Sequence, residues 1–150
     1  MPGAILGEVG LQKSDSPEAE LARLRSENPE AIIQLARFAR APNVRAIEMI
    51  AAQTLRARET DALVAERPEV DLLLRLAGTS QISEAIGRAG YKAGGKLYLV
   101  AAGTEAAISR LRRSLRATGK GTVYAILPTE DLDESGREMV EAAALLGTRR

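Results

Sequence analysis

Side chains capable of nucleophilic or metal-binding chemistry are scarce in this sequence. Its 150 residues include no Cys, no His and no Trp, and its aromatic residues are three Tyr and one Phe. Disulfides, thiolate nucleophiles, Ser-His-Asp triads and the usual zinc sites are therefore excluded. Any catalysis would have to use Asp, Glu, Lys, Ser, Thr or Tyr, and we predict neither a cofactor nor a metal site.

Two glycine clusters have the composition of phosphate loops but not their position. Gly94-Gly95-Lys96 and Gly119-Lys120-Gly121 each precede an apolar run typical of a strand. A phosphate loop instead presents backbone N–H groups at the start of a helix. The clusters are therefore predicted to be turns. An alternative stays open, in which the chain is a small-molecule sensor or an enzyme of phosphoryl or acyl groups that uses the turns near Lys96 and Lys120.

Helix starts explain the acidic clusters. Asp131, Asp133 and Glu134 open the last predicted helix, where acidic side chains cap free N–H groups and interact favourably with the helix dipole. Glu66, Glu69 and Asp71 flank another helix start in the same way. No group of residues suited to catalysis therefore remains in the sequence.

The spacing of apolar residues predicts an α/β fold. One helix-rich domain spans residues 1–150, and helices flank a small mixed central β-sheet. Residues 96–102 and 121–127 are apolar at both odd and even positions, as in strands covered on two faces. Residues 4–11 alternate between apolar and non-apolar side chains and contain glycine, which favours a half-exposed edge strand. Residues 31–36 are predicted to form the fourth strand.

Arginines mark the exposed side of a predicted helix over residues 42–58. Arg45 and Arg56 lie within about 20° of each other, opposite the apolar stripe. Arg58 lies on the side of the apolar stripe, so internal pairing is the alternative to an exposed position. A guanidinium can stack on a base and bind phosphate with two hydrogen bonds.

The next two helices meet at a tight junction. The helix that ends at Ala77 is apolar around most of its circumference, and Gly78 is predicted to stop it in a left-handed conformation. Thr79, Ser80 and Gln81 then have free N–H groups at one exposed corner, which can accept a phosphate or read a base edge. An ordinary helix junction is the alternative interpretation. Arg75, within the apolar helix, could equally bind neighbouring carbonyl groups.

The last helix has more apolar surface than one domain needs to cover. Leu132, Met139, Val140, Ala143 and Leu146 share one face, and Ala142, Ala144 and Leu145 extend it around the last turns. A second partner could pack on this surface, or the helix could be fully buried in its own domain. Gly136 weakens the helix by roughly 1 kcal/mol relative to Ala, which fits a segment supported by a neighbour.

Charge and hydropathy indicate the compartment and the class of partner. The net charge is +1, with 17 Arg and 4 Lys, which argues against a broad surface for duplex DNA, so no DNA partner is predicted. No stretch reaches the ~18 apolar residues of a membrane span, and the first residues do not resemble a signal peptide. We therefore expect a cytoplasmic protein without a membrane partner.

One segment resembles a known family. The run from Leu72 to Ile86, Leu-Leu-Leu-Arg-Leu-Ala-Gly-Thr-Ser-Gln-Ile-Ser-Glu-Ala-Ile, is similar to the signature of the kinase-binding accessory subunit of the KEOPS complex, the TPRKB-like family in its archaeal form. In that family a hydrophobic helix ends in a small residue, Gly, a polar residue, a basic residue and Gln or Asn, then Ile. Ser80 stands where the family often has the basic residue. A looser similarity extends over residues 32–36 and 142–146.

The resemblance implies a non-catalytic accessory subunit for the synthesis of threonylcarbamoyladenosine in tRNA. Members of the family dock on the small atypical kinase of the complex, contact the other KEOPS subunits indirectly, and hold the single-stranded 3′ CCA end of the tRNA. The residues expected to bind RNA are Arg45, Arg56, Arg58, Arg75, Ser80, Gln81 and Ile82. The residues expected to face the kinase are Leu132, Met139, Val140, Ala142, Ala143, Leu145 and Leu146.

Overall fold

A computed structural model of the protein describes residues 2–11, 16–90, 93–116, 122–128 and 130–148. The strands within these ranges are β1 (Pro2–Gly10), β2 (Ile32–Phe38), β3 (Lys96–Thr104) and β4 (Val123–Ile126). The helices are α1 (Pro17–Glu27), α2 (Val44–Glu59), α3 (Pro68–Ala77), α4 (Ile82–Ala89), α5 (Glu105–Arg116) and α6 (Glu134–Leu146). No helix in these ranges has both the length and the apolar composition needed to cross a membrane.

The strands form one sheet in the order β2-β3-β1-β4. This confirms the α/β fold with helices around a small central sheet. All three strand pairings are antiparallel, so the sheet is not mixed as the sequence suggested. The sequence predicted β1 as an edge strand and β4 as a strand covered on both faces. In the structure β1 pairs with a strand on each side, and β4 lies at an edge of the sheet. Gly7 explains the difference, since a Cβ there would lie 3.2 Å from the Ile126 side chain, so the glycine marks a close approach of β4 rather than exposure.

Helices cover both faces of the sheet. On the central strand β3, Leu97 and Leu99 pack against α1 and α5, whereas Tyr98 and Val100 pack against the layer of α2, α3 and α6. This alternation follows from the two-residue period of a strand and explains why β3 is apolar at both parities. The short helix α4 packs against α3 and lies beside β2.

Side-chain caps fix where the helices begin. The hydroxyls of Ser16 and Thr104 accept hydrogen bonds from backbone N–H groups in the first turns of α1 and α5, as their sequences indicate. Asp133 caps α6 in the same way, through a 2.6 Å bond from the Gly136 N–H. Asn43 caps α2, and its side-chain amide also donates to the Asp131 carbonyl, which ties α2 to the segment before α6.

Gly136 is a point of close packing between α6 and the start of α2. A Cβ at this position would lie 2.9 Å from both the Cβ and the Oδ1 of Asn43. The glycine therefore lets α6 reach the Asn43 cap, and its cost in helix propensity is offset by this contact. The packing partner is within the domain, so Gly136 is not evidence for an external neighbour.

We predict that Gly136→Ala destabilises the protein although alanine favours helices. The methyl group collides with Asn43, and overpacking of this kind costs typically about 1 to 3 kcal/mol. Gly87→Ala is the matched control, because a Cβ at Gly87 on α4 meets nothing within 4 Å. That control should gain roughly 0.5 to 1 kcal/mol from helix propensity. Equilibrium denaturation of the two variants measures both effects, and a stabilising Gly136→Ala would contradict the packing.

Candidate functional site

A buried ion pair lies beneath the junction of α3 and α4. The Arg75 Nε is 2.7 Å from the Asp71 Oδ1, one helical turn earlier, and both side chains are almost completely buried. The carboxylate also accepts hydrogen bonds from the Thr54 hydroxyl at 2.6 Å and from the Val64 N–H at 2.9 Å. The pair therefore links α3 to α2 and to the loop between them.

The remaining guanidinium hydrogen bonds extend to the last helix. Arg75 donates to the Gln53 side-chain carbonyl at 3.2 Å and to the Ala143 backbone carbonyl at 3.3 Å. Only 4% of the residue is exposed. The prediction that Arg75 contacts RNA is therefore wrong, and the open alternative, internal hydrogen bonding to carbonyl groups, is what the structure shows. A buried cation is stable here because its hydrogen bonds are satisfied within the fold.

The glycine stop forms as its sequence indicates. Gly78 has φ +69°, and its N–H donates to the Leu74 carbonyl at 2.8 Å. Thr79 is buried, and its hydroxyl accepts the Gln81 N–H at 3.2 Å and donates to the Glu84 carboxylate at 3.0 Å. The Gln81 N–H is therefore already bonded within the junction and is not free for a ligand.

Ser80, Gln81 and Ile82 are all exposed. The exposed fraction of Ile82 is 53% and that of Ile86 is 48%. The two isoleucines are four residues apart, about 40° on the helix, so they form one apolar strip on α4 that follows directly from the polar residues of the junction. We call Ser80, Gln81, Ile82 and Ile86 the junction surface.

The junction surface continues into a pocket at the outer edge of β2. The pocket has a volume of about 380 Å³ and lies where α1 from one layer meets α3 and α4 from the other. This volume is within the range of about 300 to 1,000 Å³ that is common for ligand sites. Its lining residues are Leu21, Arg25, Gln34, Leu35, Arg67, Glu69, Val70, Leu73, Ile86 and Gly90.

Arg25 is the half-buried cation of this pocket. Its Nε and Nη2 donate to the Ile33 carbonyl of the edge strand at 3.1 and 2.8 Å. Burial lowers the pKa of the Arg25 guanidinium. The negative charge of Glu69 opposes this shift, and the positive charge of Arg67 adds to it. None of the ion pairs formed between described residues includes Arg25 or Arg67. The pocket therefore combines an apolar wall with two guanidinium groups and the Glu69 carboxylate, and none of these groups forms an ion pair with a described residue.

The arginines of α2 are exposed but lie away from the junction surface. Arg45 and Arg56 are on the outer side of α2, as their spacing indicates, and Arg58 is exposed too. Arg45 is 3.7 Å from the Glu48 carboxylate. Among the described residues α2 and α4 make no contact.

Pairing between α2 and α3 separates these arginines further from the junction. Gln53 and Thr54 bond to Arg75 and Asp71 respectively, so the two helices run in opposite directions. Arg56 and Arg58 thus lie beside the start of α3, whereas the junction follows its end, about 15 Å away along ten residues of helix. The predicted cluster of four arginines with the junction does not form.

The last helix uses much of its apolar surface within the domain. Ala143 and Leu146 are buried, so they belong to the core and cannot face a partner. Leu132, Met139, Val140 and Ala142 are partly buried. Leu145, 50% exposed, is the large apolar side chain of α6 that remains open to solvent.

Leu145 ends an acidic stripe. Glu134, Glu138 and Glu141 are exposed and, with Leu145, lie within about 60° of one another on the helix. We call these four residues the acidic α6 stripe. Such a surface is complementary to a partner that presents basic side chains around one apolar pocket.

The glycine turn at Lys96 has the geometry of a strand entry. Gly95 has φ +104°, and a Cβ there would collide with the Phe38 carbonyl oxygen, so only glycine fits. The Lys96 Nζ is 3.4 Å from the Glu8 carboxylate. The same residues, with Arg37, line an open cleft of about 390 Å³. Lys120, the second residue of the alternative interpretation, lies outside the described residues.

Sequence comparison adds no relative from which a role could be transferred. No protein-family model matches the chain, and no curated protein sequence matches it either. The pocket residues Arg25, Arg67 and Ile86 were not predicted from the sequence. In the sequence these residues are ordinary polar or apolar positions of the kind that many exposed helices contain. They come from three segments far apart in the chain, which meet only when the protein folds.

We predict that Arg75→Ala strongly destabilises the fold. The substitution leaves the Asp71 carboxylate buried without its cation, and the loss of one partner of a buried pair costs about 3 to 5 kcal/mol. Arg88→Ala is the control, because it removes an exposed pair with Glu84 and should cost less than about 1 kcal/mol. Equal losses in equilibrium denaturation would contradict the structural role of Arg75.

Proposed function

We propose that this chain is a non-catalytic accessory subunit of the KEOPS complex, which makes threonylcarbamoyladenosine in tRNA. In this role it acts in the cytoplasm, docks on the small atypical kinase of the complex and binds the 3′ CCA end of the tRNA. It meets the other subunits indirectly. The proposal starts from the similarity of residues 72–86 to the signature of that family.

The division of this signature into a buried and an exposed half is the observation that carries the proposal. Leu72, Leu74 and Arg75 are buried and support the fold. Ile82, by contrast, is more than half exposed beside two exposed polar side chains. Ile82 and Ile86 together form an exposed apolar strip beside these hydrogen-bonding groups, and this combination supports a binding surface here.

A single-stranded RNA end matches the chemistry of the junction surface and its pocket. Unpaired bases bind through stacking or apolar contact and through hydrogen bonds to their edges, while arginines bind the phosphates. Ile82 and Ile86 supply the apolar contact, and Ser80 and Gln81 supply hydrogen-bonding groups. Arg25, which is held in the pocket wall by the Ile33 carbonyl, supplies a partly exposed guanidinium in place of the buried Arg75.

The acidic α6 stripe supports docking on a second protein. Leu145 offers one apolar anchor, and the glutamates around it would pair with basic residues of the kinase. Interfaces depend on a few central anchors surrounded by polar groups. The proposed interface on α6 thus comprises the exposed residues, together with the partly buried Met139, Val140 and Ala142 at its margin.

The RNA-binding part predicts a specific loss in Ile82→Glu. A carboxylate at this position repels the RNA tail and removes an apolar contact, so the affinity for tRNA should fall by an amount on the order of 1 to 3 kcal/mol. tRNA that lacks its last three nucleotides should bind the variant and the wild type equally. Ser83→Glu, on the neighbouring exposed position, is the control for added charge. If the wild type binds both tRNAs equally, the protein does not recognise the CCA end.

The kinase-docking part predicts a loss in Leu145→Ser. Removing the exposed anchor should weaken binding to the kinase by about 1 to 2 kcal/mol. Ala144→Ser, at the neighbouring exposed position of α6, should bind as the wild type does. Titration of each purified variant with the kinase measures the effect, and unchanged binding of Leu145→Ser would exclude this surface.

A small-molecule sensor or an enzyme of phosphoryl or acyl groups is the second candidate. The observation in its favour is the cleft of about 390 Å³ beside Lys96 and Arg37. A ligand that binds only the folded state raises the unfolding temperature. A shift of several degrees with a nucleotide or an acyl donor, together with no binding to the kinase, would favour this candidate over the first.

A further inference from the structure

The outer side of α5 is a dense basic surface. Arg110, Arg112, Arg113 and Arg116 are all exposed, and they lie within an arc of about 160° on the helix. The opposite side is apolar, since Ile108, Leu111 and Leu115 pack in the core between α5 and the sheet. Among the residues of α5, Glu105 in the first turn is the one acidic side chain. We call the four arginines the α5 basic face.

No described acidic side chain forms an ion pair with this face. None of the ion pairs between described residues involves any of the four arginines. Arg112 and Arg116 are four residues apart and Arg110 and Arg113 are three apart, so each pair repels along the helix. A cluster of like charges without ion-pair partners among the described residues creates a positive surface potential that attracts an external anion.

Two of the arginines also line a cleft beside the edge strand. Arg112 and Arg116 border a space of about 130 Å³ together with Leu115, Tyr124 and Ile126. This volume is well below that of a common ligand pocket, and is suited to one small group such as a phosphate. Burial raises the pKa of Tyr124, so its hydroxyl stays protonated.

The composition of the face distinguishes nucleic acid from other anionic partners. A helix that binds a membrane surface needs an exposed apolar side, and the apolar side of α5 is already buried in the core. A protein interface needs apolar anchors at its centre, and the other exposed positions within the arc of these arginines hold Glu105, Ala106 and Ser109, none of which is a large apolar side chain. Interfaces with nucleic acid, by contrast, are polar and strongly basic.

We propose that the α5 basic face binds the phosphate backbone of RNA, outside the single-stranded tail. This inference rests on the proposed function and extends it to a second contact on the same RNA. The pocket at the outer edge of β2, where the RNA tail is proposed to bind, lies on one side of the sheet, and α5 covers β3, β1 and β4. Three strand spacings, about 14 Å, separate the two edges of the sheet. An RNA held by its tail at β2 can therefore pass over α1 and reach α5.

The test is the salt dependence of RNA affinity in single charge-neutralising variants. Each phosphate contact contributes about 0.7 to 0.9 to the slope of log K against log salt concentration. Arg112→Gln and Arg116→Gln should each lower the slope by about that amount, both with intact tRNA and with tRNA that lacks its last three nucleotides. Arg137→Gln, an exposed arginine of α6, should leave the slope unchanged. Thermal unfolding of each variant confirms that the fold is intact.

Failure of this inference differs from failure of the proposed function. Slopes in the α5 variants equal to that of Arg137→Gln would overturn the backbone contact, whether or not the CCA end is recognised. A loss of slope in the α5 variants without any effect of the last three nucleotides would support the contact and remove the tail site. Anionic phosphatidylserine vesicles and polyglutamate are tested in parallel with the wild type. If either binds as tightly as RNA, or RNA does not bind at all, the inference is overturned.

Discussion

The ion pair between Asp71 and Arg75 is the interaction on which the rest of the molecule depends. Its hydrogen bonds reach α2, the loop after α2, and α6, so one buried group fixes three segments relative to α3. A pair of this kind contributes little net stability compared with apolar packing, but the loss of either member is costly. Its main effect is geometric, because α3 and α6 can pack only where these bonds close.

The position of α4 follows from this arrangement. Once α3 is fixed, the left-handed Gly78 turns the chain, and the buried Thr79 holds the first turn of α4 through Gln81 and Glu84. Ala85 and Ala89 then pack on α3, which leaves Ile82 and Ile86 on the outside. The buried half of the signature therefore orients the exposed half, and a rigid support of this kind lowers the cost of ordering a binding surface.

Local patterns in the sequence indicate the helices, their caps and the central strand, because these depend on neighbours a few residues apart. Ser16, Thr104 and Gly78 act as their residue types indicate. The pairing partners of each strand are harder to predict from the sequence. The glycines of β1 are typical of an edge strand, yet β1 lies inside the sheet. The candidate site was predicted only in part. Ser80, Gln81 and Ile82 are exposed, but burial of Arg75 depends on groups on α2 and α6 that a helical pattern does not show.

The pocket at β2 could not have been derived in the same way. Its guanidinium groups come from α1 and from the residue before α3, and they meet only when both layers close on the edge of the sheet. Arg25 has an ordinary helical position in the sequence, and its half-buried state reflects the edge carbonyl that it binds. Contacts between segments far apart in the chain carry this information, and no short-range periodicity encodes them.

The exposed faces of α5 and α6 carry opposite charges on opposite sides of the sheet. The net charge is only +1, yet the arginines lie on one side of the sheet and the glutamates of the acidic α6 stripe on the other. The isoelectric point therefore says little about how the protein meets a polyanion. In the proposed function, this opposition of charges would turn α5 towards an approaching RNA and α6 away from it before any short-range contact forms.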